Sequence, residues 1–302
     1  MIIEEFLQEY DASAATLKTY KEALKNFEYF LAGISITDAT EADIVRYKRE
    51  LMQAHKPATA NLYLTAVRCF FKWCEKQGYC TDVAKDISNV RKHHSNVAAR
   101  AFTSKQVSDI LSSIDTSTVI GRRNKVMLVT MFSTALRCVE VSRLNRDDLA
   151  CITGHWCLLV QGKGDADADA VVTIPASLAA ELQSYLAERS DSGDALFASY
   201  SHRRDDASRL SPQSISRICK SVFRNAGFDL NTLTAHSTRH TAITVALENG
   251  ADIREVQQFA RHSSINTTLI YDHSLKQLEN CCSSILIEQY STQLPQLECE
   301  VN

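Results

Sequence analysis

Five residues near the end of the chain are of types that could act together on a phosphate ester. His236, Arg239 and His240 are followed by His262 and Tyr271, all within a 36-residue stretch. A phenol that attacks a phosphodiester needs cationic donors around the non-bridging oxygens. It also needs a group to take its proton and another to protonate the leaving oxygen. The i, i+3, i+4 spacing of His236, Arg239 and His240 places all three on one side of a helix. Upstream, Arg137 offers a second guanidinium, with Glu140 three residues on. Each feature is ordinary alone: an Arg-x-x-Glu pair is usually a solvated surface pair, and a solitary tyrosine signals nothing. Arg137, however, follows the apolar run Val126, Met127, Leu128, Val129, Met131 and Phe132, so it stands where a buried helix ends.

The elements that must carry these groups are mostly helical. In the first 90 residues, Ser13 or Thr16 can cap a helix running to Leu31. Its apolar positions Leu17, Tyr20, Leu24 and Phe27 keep one buried face. Thr40 starts a second helix through Leu51, with Glu41 and Asp43 favourable in its first turn. Pro57 suits the first turn of a third, Ala58 to Gly78, whose face runs through Tyr63, Val67, Phe70, Phe71 and Cys74. These three, with a short fourth after Thr81, make a small bundle. Residues 91–103 are polar and basic without a period and read as a linker. Beyond them, helices are expected at about 104–114, 119–134, 176–188, 212–226, 236–249 and 252–260. Cys157–Val160 and Val171–Ile174 flank Gly162-Lys163-Gly164 and suggest a hairpin. The fold class is therefore mainly α, an N-terminal helical bundle plus a mixed α+β domain with a small sheet. A tail, 276–302, is acidic and polar but carries Leu278, Ile285, Leu286, Ile287, Leu294 and Leu297. Such residues suit packing against a neighbouring protomer or against the chain's own domain.

Composition sets the outer bounds. The 302 residues suit two domains, and 45% hydrophobic with 23% charged is ordinary for a globular protein. No apolar run reaches the roughly 18 residues needed to span a bilayer, and the acidic start MIIEEFLQEY lacks a signal peptide's basic character. Ten cysteines are scattered without a Cys-x-x-Cys pair, so reduced cytoplasmic thiols are expected rather than a metal site. The net charge of −3 argues against a nucleic-acid partner, but it is unevenly spread. From Lys56 to Arg100, eight Lys/Arg stand against three acids. A local basic face can bind DNA within an acidic protein. Lys72, Lys76, Arg91 and Lys92 are the candidate contacts.

In order and spacing, these motifs closely resemble the tyrosine recombinase (phage integrase) family, in a simple two-domain, Xer-like form, over nearly the whole chain. Thr134-Ala135-Leu136-Arg137-Cys138-Val139-Glu140 is similar to its first-arginine motif, and Lys163 to its hairpin lysine. His236 to Arg239 resembles its His-x-x-Arg motif, and Ala260-Arg261-His262-Ser263-Ser264 its later histidine. Thr267-Thr268-Leu269-Ile270-Tyr271-Asp272-His273 resembles the nucleophile segment. The chain departs at Ala260-Arg261, where the family commonly has Leu-Gly, and at Thr238, where it usually has Leu. It also departs at Asp165, Asp167 and Asp169, where further basic residues are usual.

The resemblance implies a core-binding, SAM-like domain at 1–90 and a catalytic domain at 104–275 that clamp double-stranded DNA. It implies paired inverted half-sites, a homo-oligomer (a tetramer) on DNA, and neither metal nor other cofactor. Arg137 and Arg239 would hold the phosphate, His236 would serve in acid/base roles and His262 would hydrogen-bond the phosphate. Lys163 would protonate the 5′-oxygen, and Tyr271 would form a 3′-phosphotyrosyl link. Strand relaxation of the type IB topoisomerase kind, or a catalytically inactive DNA-binding accessory, are the competing readings.

Overall fold

The structure, a computed structural model, describes residues 2–91, 101–162, 170–200, 208–228 and 231–271. It divides into two compact units, Met1–Ser95 and Asn96–Asn302, each considered by itself. Most of the expected linker, Lys92, Lys163 and the 276–302 tail lie outside the described residues.

The first unit is built from α1 (Ile2–Glu9), α2 (Ala14–Phe30), α3 (Glu41–Ala54) and α4 (Pro57–Gln77). Local chemistry sets their ends. The Ser13 hydroxyl accepts from the Thr16 backbone N–H at the start of α2. Thr40 and Asp43 form a reciprocal capping box on α3. Pro57 opens α4, and Gly78 closes it at φ +78, a left-handed position where a side chain would be strained. A short helix expected after Thr81 is absent: residues 83–86 are a turn, where Asp82 accepts from the Ala84 N–H at 3.0 Å. The fourth helix is instead α1, which contributes Ile3 and Phe6 to the core.

That core is aromatic. Phe6, Phe27, Phe70 and Phe71 are all fully buried, and Phe6 meets Phe70 edge to face at 5.6 Å. Phe70→Ala is expected to destabilise this unit by about 3–5 kcal/mol, because the cavity is ringed by rigid aromatic neighbours. Denaturant unfolding checks it; a loss under about 1 kcal/mol would mean the rings collapse into the gap.

Not every basic residue of this unit is free for a ligand. Arg68 donates to the Ile87 carbonyl at 3.0 Å and to Asn89 Oδ1 at 2.6 Å. Lys48 donates to the Ser88 carbonyl at 2.6 Å, and Asn61 exchanges two bonds with the Val90 backbone. These side chains pin residues 87–90 onto the bundle. Lys72, Lys76 and Arg91 remain exposed, the first two one turn apart on α4.

The second unit runs α5 (Ser104–Ser112), α6 (Val119–Thr134) and α7 (Cys138–Arg143), then β1 (Leu149–Ile152), β2 (His155–Val160) and β3 (Ala170–Thr173). After these come α8 (Ala176–Ala187), β4 (Ala198–Ser199), β5 (Ser208–Arg209), α9 (Pro212–Asn225), α10 (Ala235–Glu248) and α11 (Ile253–Ala260). Residues 265–271 are helical again. The expected hairpin is present as β2 and β3, paired antiparallel with Val160 opposite Ala170. Strand β1, not anticipated, joins β2 through a two-residue turn with Thr153 at φ +49 and Gly154 at φ +83. A Thr-Gly pair is a weaker turn signal than Asn-Gly, and four residues of strand give little alternation to read.

The main core packs Met127, Leu128 and Met131 of α6 against Leu158 and Val160 of β2, Leu182 of α8 and Phe223 of α9. Phe102, at the end of the expected linker, is buried in this core, and its N–H donates to Thr241 Oγ1 at 2.8 Å. A second, smaller cluster joins Ala135, Ile243, Val256, Ala260 and Tyr271, beneath the groups described next.

Candidate active site

Helix α6 ends at Ala135, which takes a left-handed conformation at φ +52 although it is not glycine. Such a conformation costs about 1–2 kcal/mol for a residue with a Cβ. It reverses the chain so that Arg137 becomes the N-cap of α7 and the Ala135 carbonyl faces α10. Glu140 then serves two purposes. One oxygen accepts from the Arg137 backbone N–H at 2.7 Å, the other from its guanidinium Nη1 at 2.7 Å. The pair is not a solvated surface pair: the Glu140 side chain is 3% exposed, against 40% for Arg137. Burial pushes the Glu140 carboxyl up, but the Arg137 N–H, Arg261 and the Arg137 guanidinium together hold it below the ordinary value.

Arg239 enters from α10. Its Nη1 donates to the Ala135 carbonyl at 2.5 Å and its Nη2 to the Ala260 carbonyl. The side chain is only 2% exposed, so a fork of backbone carbonyls fixes a charge in the interior. Burial lowers its pKa to about 10, helped by repulsion from Arg137 and Arg261 and opposed by Glu140 and Tyr271. At neutral pH the guanidinium keeps its proton.

His262 follows Arg261, the left-handed C-cap of α11. Its Nδ1 lies 2.9 Å from the Oγ1 of Thr268, which is fully buried. Burial pushes the imidazole down to about 4, with Arg239, Arg137, His236 and Arg261 adding repulsion. The ring is therefore neutral at physiological pH. Because this folded value lies below the ordinary 6.5, the stability it contributes is full above pH 6.5 and is lost as pH falls through 4. An NMR titration of the His262 ring should show a midpoint near 4; a midpoint above 6 would contradict the arrangement.

Tyr271 is 5% exposed and belongs to the small apolar cluster. Its hydroxyl oxygen lies 2.5 Å from Nδ1 of His240, and the His262 ring stacks beside it at 6.2 Å. His236, exposed at the start of α10, meets the His240 ring edge-on at 4.6 Å. Arg137, Glu140, Gly162, Arg261 and His262 line one cleft of about 510 Å³. Arg143 donates to the Gly162 carbonyl, so the base of the β2–β3 hairpin is tied to the end of α7. Gly162 is the residue before Lys163, which itself lies outside the described residues.

Arg137, His236, Arg239, His262 and Tyr271 are thus joined by one network of contacts. Three partners have no role that residue type and spacing alone assign. His240 shares the helical side of His236, Glu140 reads as a salt-bridge partner of Arg137, and Arg261 as a departure from the family pattern. The i, i+4 relation of His236 and His240 was the available signal for the first. Among the described residues, no group of three or more His, Cys, Asp or Glu could hold a metal ion. No described helix is long and apolar enough to cross a membrane.

With this geometry in hand, the chain can be set against known proteins. Residues 100–277 match the phage integrase family, and residues 3–78 match the phage integrase N-terminal SAM-like domain. Tyrosine recombinase XerD of Listeria monocytogenes serotype 4b is 29% identical over 295 residues, covering 91% of this chain and 94% of that protein. Tyrosine recombinase XerD of Oceanobacillus iheyensis is 30% identical, covering 84% and 94%. Among solved structures, XerH site-specific recombinase bound to palindromic difH substrate, in a post-cleavage complex, has the same fold. Its TM-score is 0.74 at 24% identity, over 91% of this chain and 81% of that one. The matched region spans more than half of the chain and carries every group of the cleft, and the chain belongs to the phage integrase family of tyrosine recombinases.

Proposed function

We propose that this tyrosine recombinase cuts and rejoins double-stranded DNA through a 3′-phosphotyrosyl intermediate formed on Tyr271. The observation that carries this reading is a cleft lined by Arg137 and His262, with the Tyr271 ring stacked beside His262 and Arg239 fastened to the turn that precedes Arg137. The Tyr271 oxygen bonds to phosphorus while the bond from phosphorus to the 5′-oxygen breaks. The phenolic proton, which ordinarily leaves near pH 10, passes to the histidine pair, His240 at hydrogen-bond distance and His236 beside it. Lys163 protonates the departing 5′-oxygen. Arg137 and Arg239 hold the non-bridging oxygens. Neutral His262, its Nδ1 2.9 Å from the Thr268 hydroxyl, donates from Nε2 to the phosphate in the tautomer where that hydroxyl is the donor. The linkage conserves the bond energy of the phosphodiester, so rejoining needs no nucleotide hydrolysis.

Residues 1–90 bind the duplex that the catalytic domain at 104–275 cuts. Lys72 and Lys76 project from one face of α4 and, with Arg91 and Lys92, contact backbone phosphates. The palindromic substrate of the XerH complex supports a site of two inverted half-sites. Exchange between two such sites brings together four protomers.

The test is to trap the protein on a nicked DNA of paired inverted half-sites and map the attached nucleotide. A phosphotyrosyl peptide containing Tyr271, joined to a 3′-end, is expected. A 5′-linkage, or attachment elsewhere, would overturn the reading. Relaxation of a closed circle without strand exchange would make this a relaxing enzyme instead, and no adduct would make it an accessory DNA binder.

A further inference from the structure

Arg261 occupies a position that is costly for an arginine. Its backbone is left-handed at φ +53 and ψ +48, a region where glycine is free and a long side chain is strained. Its Nε is buried and makes no hydrogen bond among the described residues. Its guanidinium is largely shielded, with 18% of the side chain exposed. A glycine would escape all three costs.

What the arginine obtains is a place in the cleft. Its Nη1 donates to the Phe259 carbonyl at 3.0 Å, and its Nη2 to Glu140 Oε2 at 3.1 Å and to the Ala135 carbonyl at 3.4 Å. The same carboxylate binds Arg137, and the same carbonyl binds Arg239. Arg261 therefore touches the acceptors that orient both phosphate-holding arginines, and it immediately precedes His262.

Resting on the phosphotyrosyl reading above, we propose that Arg261 is a positioning residue for DNA cleavage, sharing Glu140 so that Arg137 keeps its charge for the phosphate. The charge count shows why. Alone with Arg137, Glu140 would be a matched ion pair, leaving Arg239 as the one unbalanced guanidinium of the group. With Arg261, three guanidiniums face one carboxylate, and two positive charges remain. A phosphodiester carries one negative charge, and a phenolate attacking it creates a pentavalent phosphorus centre carrying two. The arrangement thus suits the transition state better than the bound substrate, the condition for raising the chemical rate. Burial does most to lower the Arg239 guanidinium to about 10, and the further repulsion from Arg137 and Arg261 agrees with this excess of charge in the free protein.

The experiment uses the full chain on suicide half-site DNA, measured in single turnover at saturating protein. Arg261→Gly is expected to melt no lower than wild type, bind the half-site within about twofold, and cleave at least about tenfold more slowly. Arg261→Lys, which keeps the charge but loses the fork, should recover part of that rate. In a Glu140→Gln background, where no carboxylate remains to be shared, Arg261→Gly should change cleavage by less than about twofold. Arg261→Asn, whose side chain tolerates a positive φ, replaces the glycine variant if that one unfolds. A wild-type cleavage rate in either variant, or an equal defect in both backgrounds, would overturn the proposal. Wild-type protein that forms no adduct at Tyr271 would overturn both this proposal and the reading beneath it. A wild-type adduct with an unimpaired Arg261→Gly removes this one alone.

Discussion

Replacing Tyr271 with phenylalanine is expected to leave half-site binding intact and to lower covalent adduct formation by at least about 10³-fold. The argument is chemical first: phenylalanine has no oxygen to bond to phosphorus, and the bond's energy cannot be stored without that link. It is also structural. The ring sits with Ala135, Ile243 and Val256, contacts a benzyl group would keep. The hydroxyl's contact with His240 Nδ1 is lost, about 1 kcal/mol for a hydrogen bond of this kind. The variant should therefore fold and bind, which separates loss of the nucleophile from loss of structure. Normal adduct from the phenylalanine protein on a nicked substrate would remove Tyr271 from the mechanism.

The second large effect belongs to Arg239. Arg239→Ala should slow cleavage by about 10²–10³-fold, the ordinary consequence of removing a preorganised charged donor from a transition state. Two features argue for the upper part of that range. The guanidinium is held by two backbone carbonyls, so little reorganisation is needed when phosphate arrives. It is also buried, where charge–charge interactions are stronger than at the surface. Arg239→Lys should recover little. One ammonium cannot bond to the Ala135 and Ala260 carbonyls and still present a fork to two phosphate oxygens. Single-turnover rates at saturating DNA decide the matter. A lysine variant within about threefold of wild type, a difference of only ~0.65 kcal/mol, would show that charge alone suffices and that the fork is dispensable.

The cleft also explains why such a cationic site is stable in free protein. Glu140, buried at the start of α7, neutralises part of the charge and is held by donors from two segments. His262 avoids adding to it by staying neutral. Removing Glu140 outright would leave three guanidiniums facing one another. For that reason its isosteric glutamine, which preserves the shape and one acceptor, is the informative replacement.

Much of the molecule was legible from the chain alone, because the information was local. The helices follow from apolar spacing of three and four and from caps such as Ser13, Thr40 and Pro57, which act within one turn. The identities of Arg137, Arg239, His262 and Tyr271 as candidate groups likewise came from residue type and spacing. Tertiary structure alone decided how they are held. Tyr271 meets His240 across 31 residues, Arg239 meets Ala135 across 104, and Arg261 meets Glu140 across 121. No periodicity encodes contacts at such separations. They arise because the left-handed residues Ala135 and Arg261 turn two helix ends toward α10, and a buried charge must then take whichever carbonyls and carboxylates that packing leaves within reach. Residue types and their spacing specify which groups could do chemistry. The packing of α6, α7, α10 and α11 decided which of them share a carboxylate, which are neutral, and which meet Tyr271.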